Sequence, residues 1–219
     1  METQTQSKQT QNEPVRRGKH DAALYFVVDL EATCDLHQAT ISKYEMETIE
    51  IGGVLVDGET LEPIDEVATF VRPIRHPELT SFCRELTTIT QDDVDGAPLF
   101  PEAIGMVREM LERHASSPDD VLFCSWGDYD RNQLVQDTRL HGISPPAFVG
   151  HHLNLKKRFS EALGLPKKLG MSGALAHVGL ELRGTHHRGI DDARNIARLL
   201  PWSLERRTLP APETRRRRT

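Results

Sequence analysis

LYFVVDLE, residues Leu24 to Glu31, is an apolar run of strand-forming residues that closes on two carboxylates. A short run without polar alternation fits a strand buried on both faces. Side chains alternate faces along a strand, so Asp29 and Glu31, two positions apart, emerge on the same side. Burying two unpaired anions is costly, and each pushes the other's pKa upward unless a cation intervenes. A site built only of oxygen donors suits magnesium or manganese. A lone D-x-E is nonetheless short and common, and its alternative is a strand that simply ends in solvent. Its meaning depends on partners elsewhere in the chain.

Downstream, Thr48 to Val56 and Val67 to Val71 read as two more strands, with the Asp57-Gly58 pair favouring a tight turn after the first. The three form an antiparallel meander. Pro101 to Arg113 carries Ala103, Ile104, Val107, Met110 and Leu111 at amphipathic helical spacing, and Val121 to Trp126 is another apolar strand. Helical patterns follow over Arg131 to Leu140, Leu153 to Leu163, Ser172 to Val178 and Ile190 to Leu200. Strands first, then a strand among helices, point to an α/β fold with a mixed sheet covered by helices.

The 219 residues fit one domain with tails: a polar, disordered stretch over 1–20, a folded domain over 21–204, and a basic mobile end over 205–219. A hydrophobic fraction of 37% and a charged fraction of 27% suit a globular protein. The net charge of −6 does not itself suggest a nucleic-acid partner, but carboxylates that gather cations can receive a phosphate through them. Cys34, Cys83 and Cys124 are an odd set without CxxC spacing, which implies neither a disulfide framework nor a zinc site, and a reducing cytoplasm is the expected location. No apolar stretch approaches the roughly 20 residues that span a bilayer, and Met1 to Asn12 has no secretory-type hydrophobic segment, so no membrane partner is expected.

Two later segments supply partners for the first acids. In FCSWGDYDRNQL, Phe123 to Leu134, a strand runs into Asp128 and Asp130 and then into a helix. Asp130 shares a helical face with Leu134 and so points toward the core, whereas Asp128 precedes the helix and suits its N-cap. In THHRGIDDARNIARLL, Thr185 to Leu200, Asp192 shares a face with Ile196 and Leu199, while Asp191 faces water with Asn195 and Arg198 and serves the helix dipole. His187 precedes Asp192 by five residues on a loop, where a neutral imidazole can take a proton from water near pH 7; His186 competes for this role. The His151-His152 pair has no acid or cysteine at ligand spacing and reads as loop.

Together, DLEATC, SWGDYD and HHRGIDDARN resemble the three motifs of the DEDDh superfamily of ribonuclease H-like 3′-to-5′ exonucleases. FCRELTTITQDDVDGAPLFPEA, Phe82 to Ala103, lies outside those motifs and resembles the Eri-1-type exoribonuclease branch. One departure is Thr88, where relatives often carry glycine.

The resemblance, over roughly Ala23 to Leu200, implies a ribonuclease H-like sheet and metal-binding carboxylates at Asp29, Glu31, Asp130 and Asp192. Two Mg2+ ions, or Mn2+, would serve hydrolysis, with His187 as general base. It also implies RNA 3′ ends as partner, with Ala32 and Thr33 beside the terminal nucleotide. Trp126 and Phe82 are candidates for base stacking, although aromatics in apolar runs are commonly core. Lys156, Lys157 and Arg158 are candidates for the phosphate backbone, against a solvated helix face. Two other readings remain open: a catalytically silent or regulatory nucleic-acid-binding protein of the same fold, and an exonuclease for single-stranded DNA or short oligonucleotides.

Overall fold

The structure, a computed structural model, describes residues 21–209. The tail expected over 1–20 and residues 210–219 lie outside the described residues. Residues 205–209 are described, and three of them contact the fold. Glu205 pairs with Arg158, Arg206 bonds to Asp21 and to the Gly58 carbonyl, and the Arg207 guanidinium lies over the Trp202 ring.

Strand β1 (Leu24–Ala32) is the centre of a five-stranded sheet; on one side β2 (Thr48–Asp57) pairs antiparallel to it, and β3 (Pro63–Phe70) pairs antiparallel to β2. Three helices follow, α1 (Ser81–Thr87), α2 (Gln91–Asp95) and α3 (Phe100–Glu112). Then β4 (Val121–Ser125) pairs parallel to β1, α4 (Tyr129–Leu140) leaves its end, and β5 (His152–Asn154) pairs parallel to β4. The chain ends with α5 (Leu155–Ala162), α6 (Met171–His177), α7 (Gly189–Ala197) and α8 (Leu200–Ser203). The strand order is β3-β2-β1-β4-β5, the expected mixed sheet.

Alternation along β1 builds two cores. Phe26, Val28 and Leu30 face α3 and Leu134 of α4, while Tyr25 and Val27 face the layer of α5, α6, α7 and α8. By the same period-2 rule, Asp29 and Glu31 project on the side of Tyr25 and Val27, the side that α7 covers.

Three local readings change. Leu153 to Leu163 is not one helix: its start is β5, whose three residues are too short to show a period, and Asn154 then caps α5 by accepting from the Lys157 N–H at 2.9 Å. His152 is therefore not loop; it opens β5, its side chain is 8% exposed, and its Nε2 lies 2.9 Å from the Ser125 hydroxyl. Ile190 to Leu200 breaks at Arg198–Leu199 because Pro201 can begin a helix but not continue one.

Thr88 follows α1 at φ 61°, ψ 6°, the left-handed region that favours glycine and is least suited to a β-branched residue. Its backbone N–H still closes the helix by donating to the Arg84 carbonyl. Thr88→Gly is expected to stabilise the protein by about 0.5–1 kcal/mol, the strain relieved less the entropy glycine loses on folding. Thermal denaturation of the single variant measures it.

Candidate active site

The candidate cleft lies at the C-terminal end of β1, where a parallel neighbour and a helix start converge. Asp29, Glu31 and Asp192 present carboxylate oxygens within 4.8 Å of one another, and Asp192 forms a second such group with His186 and His187. A cleft of about 320 Å³ brings these five residues together with Asp130, Ala32 and Trp126. Leu30, Cys34, Met46, Leu86, Tyr129 and Met171 complete its wall.

Asp130 occupies the first turn of α4 and is buried, where its Oδ1 accepts from the Leu30 N–H at 3.1 Å. This bond ties the helix start to the backbone between Asp29 and Glu31. Asp128 sits at the N-cap position but makes no capping bond; its exposed carboxylate lies 3.9 Å from His152 Nδ1 instead.

Helix α7 crosses the sheet with no side chain between backbones. A Cβ at Gly52 would lie 2.0 Å from the Gly189 carbonyl carbon, and one at Gly189 would lie 3.0 Å from the Asp29 carbonyl oxygen. The start of this helix is fixed by a residue that motif reasoning missed. Glu50, buried in β2, accepts from the Gly189 N–H at 3.0 Å and from the Arg188 guanidinium at 3.1 Å. Glu50 is directly opposite Glu31 across the antiparallel pair, a like-charge arrangement that destabilises a sheet without a countercharge. Arg188 supplies it. An acid inside the apolar run TIEIGGVLV was the available signal.

Asp191 does more than serve the helix dipole: it accepts from the Thr185 N–H at 2.9 Å and pairs with Arg194 at 3.1 Å, closing the loop that carries the histidines. Within that loop His187 has φ 62°, and its backbone N–H donates to Asp192 Oδ2 at 3.0 Å. The two imidazoles lie 4.0 Å apart, and His186 Nε2 is 3.4 Å from the Ser172 hydroxyl and 3.9 Å from Asp192 Oδ2.

Not every candidate lines the cleft. The Thr33 hydroxyl is buried and accepts from the Glu47 N–H at 2.9 Å, so it serves the fold. Trp126 lies in the wall, with its indole N–H on the Leu169 carbonyl and its ring against Phe159. Phe82 and Lys156 are not among the lining residues. On α5, Lys157 and Arg158 pair with Glu161, and Arg158 also with Glu205.

The electrostatics are those of crowded anions. Burial, then the charges of Asp130, Glu31, Asp192 and Glu50, push the Asp29 carboxyl well above its usual range. Burial, then the charges of Asp192, Glu50 and Asp130, push Glu31 up to about 8, and burial raises Asp130 to about 6 against the bond from Leu30. Asp192 is raised by burial, opposed by the His187 N–H. Burial, then His186, lowers His187, keeping the imidazole neutral near pH 7.

The donors fit a hard divalent cation. They are carboxylate oxygens in one cluster, and among the described residues Asp192 Oδ1 is buried without a hydrogen-bond partner although an acceptor there needs one.

The exonuclease family model RNase_T matches residues 26–200. The chain belongs to the exonuclease family. It is 33% identical to ERI1 exoribonuclease 3 of Homo sapiens over 179 residues, covering 80% of this chain and 52% of that one. It is 31% identical to 3′-5′ exoribonuclease 1 of Mus musculus over 182 residues, covering 82% of this chain and 52% of that one. The chain thus spans about half the length of the curated relatives it matches. The crystal structure of the nuclease domain of 3′hExo, a DEDDh family member, bound to rAMP, superposes with a TM-score of 0.79 at 28% identity, over 86% of this chain and 95% of that one. These exonuclease relatives support the DEDDh, Eri-1-type branch and the ribonuclease H-like sheet, and the family is dependent on divalent metal.

Proposed function

We propose that this exonuclease-family protein is a 3′-to-5′ exoribonuclease that removes nucleoside 5′-monophosphates from RNA ends, using two Mg2+ ions, with Mn2+ as a substitute. The observation that carries this reading is the meeting of Asp29, Glu31 and Asp192 within 4.8 Å, beside a histidine pair, in one cleft. RNA as substrate rests on the exoribonuclease relatives and on rAMP bound to 3′hExo.

Asp29, Glu31, Asp130 and Asp192 would hold the cations, which when bound offset phosphate charge and lower the pKa of water. Burial and crowding drive these carboxyls toward the protonated form without cations, and cations bound among them would hold them ionised. The neutral His187 ring accepts the proton of the attacking water as its oxygen bonds to the terminal phosphorus. The bond from phosphorus to the 3′ oxygen of the penultimate nucleotide breaks, leaving a new 3′-hydroxyl. Trp126, Leu86 and Tyr129 give the wall the apolar surface on which the terminal base can rest.

The direct test gives the purified protein 5′-labelled single-stranded RNA, RNA with a 3′ overhang, and DNA, with magnesium, manganese or chelator. Stepwise shortening of RNA from its 3′ end, abolished by chelator, is the expected result. Equal or faster shortening of DNA would move the substrate assignment, and no shortening of any strand would remove the activity.

The raised carboxylate pKa values give a stability prediction with a definite sign. Glu31 ionises near 4.3 in an unfolded chain and near 8 in the metal-free fold. Between those values the folded state binds more protons than the unfolded one, so stability is greatest at the acidic end and falls as pH rises toward 8. Melting temperature of chelated protein should therefore fall from pH 5 to pH 8. Added Mg2+ should restore most at pH 8; a rise with pH in chelator would contradict the burial of this cluster.

A further inference from the structure

Beside the catalytic cleft lies a second groove of about 790 Å³, whose charged wall is Arg75, Arg131 and Arg139. The groove and the cleft share Met46. Arg131 and Arg139 stand on α4, the helix whose first turn carries Asp130 into the cleft. At 1.5 Å of rise per residue the two arginines are about 12 Å apart along the axis, so the groove leads away from the site over more than one nucleotide.

All three arginines are exposed, and among the described residues none lies within ion-pair distance of a carboxylate. In a chain of net charge −6 several basic side chains on α5 and around α7 are paired, whereas Lys156, like these three arginines, has no carboxylate within ion-pair distance among the described residues. Arg158 pairs with Glu161 and Glu205, Lys157 with Glu161, Arg194 with Glu66 and Asp191, and Arg188 with Glu50. The nearby Glu45 accepts from the Ser42 hydroxyl and feels the charge of Arg75 without coming within ion-pair distance of it. Tyr44, 72% exposed, stands in the same groove as an aromatic surface for a base, with the Lys43 ammonium 4.9 Å from its ring centre. The wall is preformed: the Met46 carbonyl accepts from Gln133 Nε2 at 2.8 Å and from Gln136 Nε2 at 2.7 Å, which fastens the segment before β2 onto α4.

We propose that the groove of Arg75, Arg131 and Arg139 is the track along which single-stranded RNA, 5′ of the terminal nucleotide, is held while its 3′ end occupies the cleft. This rests on the exoribonuclease reading for the identity of the strand. Unpaired guanidiniums forming a stripe beside an acidic cleft match the chemistry of such a strand: phosphates along the backbone, and one end presented to cations. The track belongs to α4 rather than to Lys156 and its neighbours on α5.

The test is the triple variant R75Q/R131Q/R139Q beside K156Q/K157Q. Fluorescence anisotropy with labelled single-stranded RNA of about 12 nucleotides, in chelator and across a salt series, reads binding without turnover. Hydrolysis of the same RNA and of a dinucleotide, which is too short to reach the groove, is measured with Mg2+. The arginine variant is expected to bind the longer RNA at least tenfold more weakly, with its log–log salt slope reduced by about 2. Its KM for the longer RNA should rise, while dinucleotide hydrolysis and melting temperature stay at wild-type values. Unchanged affinity and salt slope would overturn the proposal, as would a loss of slope confined to the α5 variant. Absence of hydrolysis by the wild-type protein would count against the exoribonuclease reading, while the chelator binding data would still decide the groove.

Discussion

Asp29→Asn is expected to slow 3′-end hydrolysis by about three orders of magnitude, the several kcal/mol of charge stabilisation that a mispositioned cation forfeits, and to raise the melting temperature of the metal-free protein. The two effects have one cause. Asp29 is held among Asp130, Glu31, Asp192 and Glu50, and burial together with those charges already pushes its carboxyl toward the protonated form. An amide keeps the shape and removes one anion from the cluster, so folding at pH 7 and above becomes more favourable. The same change takes away an oxygen donor, and the stabilisation that Mg2+ gives the wild-type protein should shrink. Single-turnover kinetics and melting curves with and without Mg2+ measure the pair. A variant that retained its rate, or that melted lower than wild type in chelator at pH 8, would refute the assignment of Asp29 to a cation site.

Gly52→Ala should be the most damaging methyl group that can be added to the sheet. The new Cβ would stand 2.0 Å from the Gly189 carbonyl carbon and 2.1 Å from the Ile190 nitrogen, both backbone atoms that no rotamer change can move. Helix α7 must lift. Overpacking of this kind typically costs about 1–3 kcal/mol, and a contact between main chains belongs at the upper end. Asp192 rides on the first turn of α7, and a displacement of about 1 Å costs on the order of a hundredfold in rate. Gly105→Ala is the control: nothing lies within 4 Å of its added methyl, and it sits within α3, where alanine favours the helix. Melting temperature and kcat should both fall for Gly52→Ala and hold for Gly105→Ala.

Much of the architecture was legible because the buried strands are continuous apolar runs and the longer helices are periodic. LYFVVDLE announced both the central strand and the shared face of Asp29 and Glu31. Helical facing separated Asp130 from Asp128 and Asp192 from Asp191, and the structure places Asp130 and Asp192 in the cleft. The sequence did not reveal β5, because three residues carry no period, nor the short α1 and α2. Glu50 escaped notice because its role depends on Arg188 and Gly189, far away in sequence and adjacent only once β2 and α7 meet. The α5 basic cluster was visible as charge, and helical spacing put Glu161 beside Lys157 and Arg158, whereas Glu205, which also pairs with Arg158, was not visible as a neighbour. Three arginines scattered at positions 75, 131 and 139 gave no cluster to read.

Helix α4 carries a cleft acid, Asp130, in its first turn and groove arginines along its length, and it is fastened to the Met46 carbonyl by two glutamines. On the proposed track, one acid of the chemistry and two of the three gripping arginines are therefore engraved on a single rod, like the graduations of a ruler. If the groove is that track, then as each terminal residue leaves, the strand slides by one nucleotide past marks that do not move. The interval from held phosphates to scissile bond is then a constant of the protein, whatever the length or sequence of the RNA being consumed.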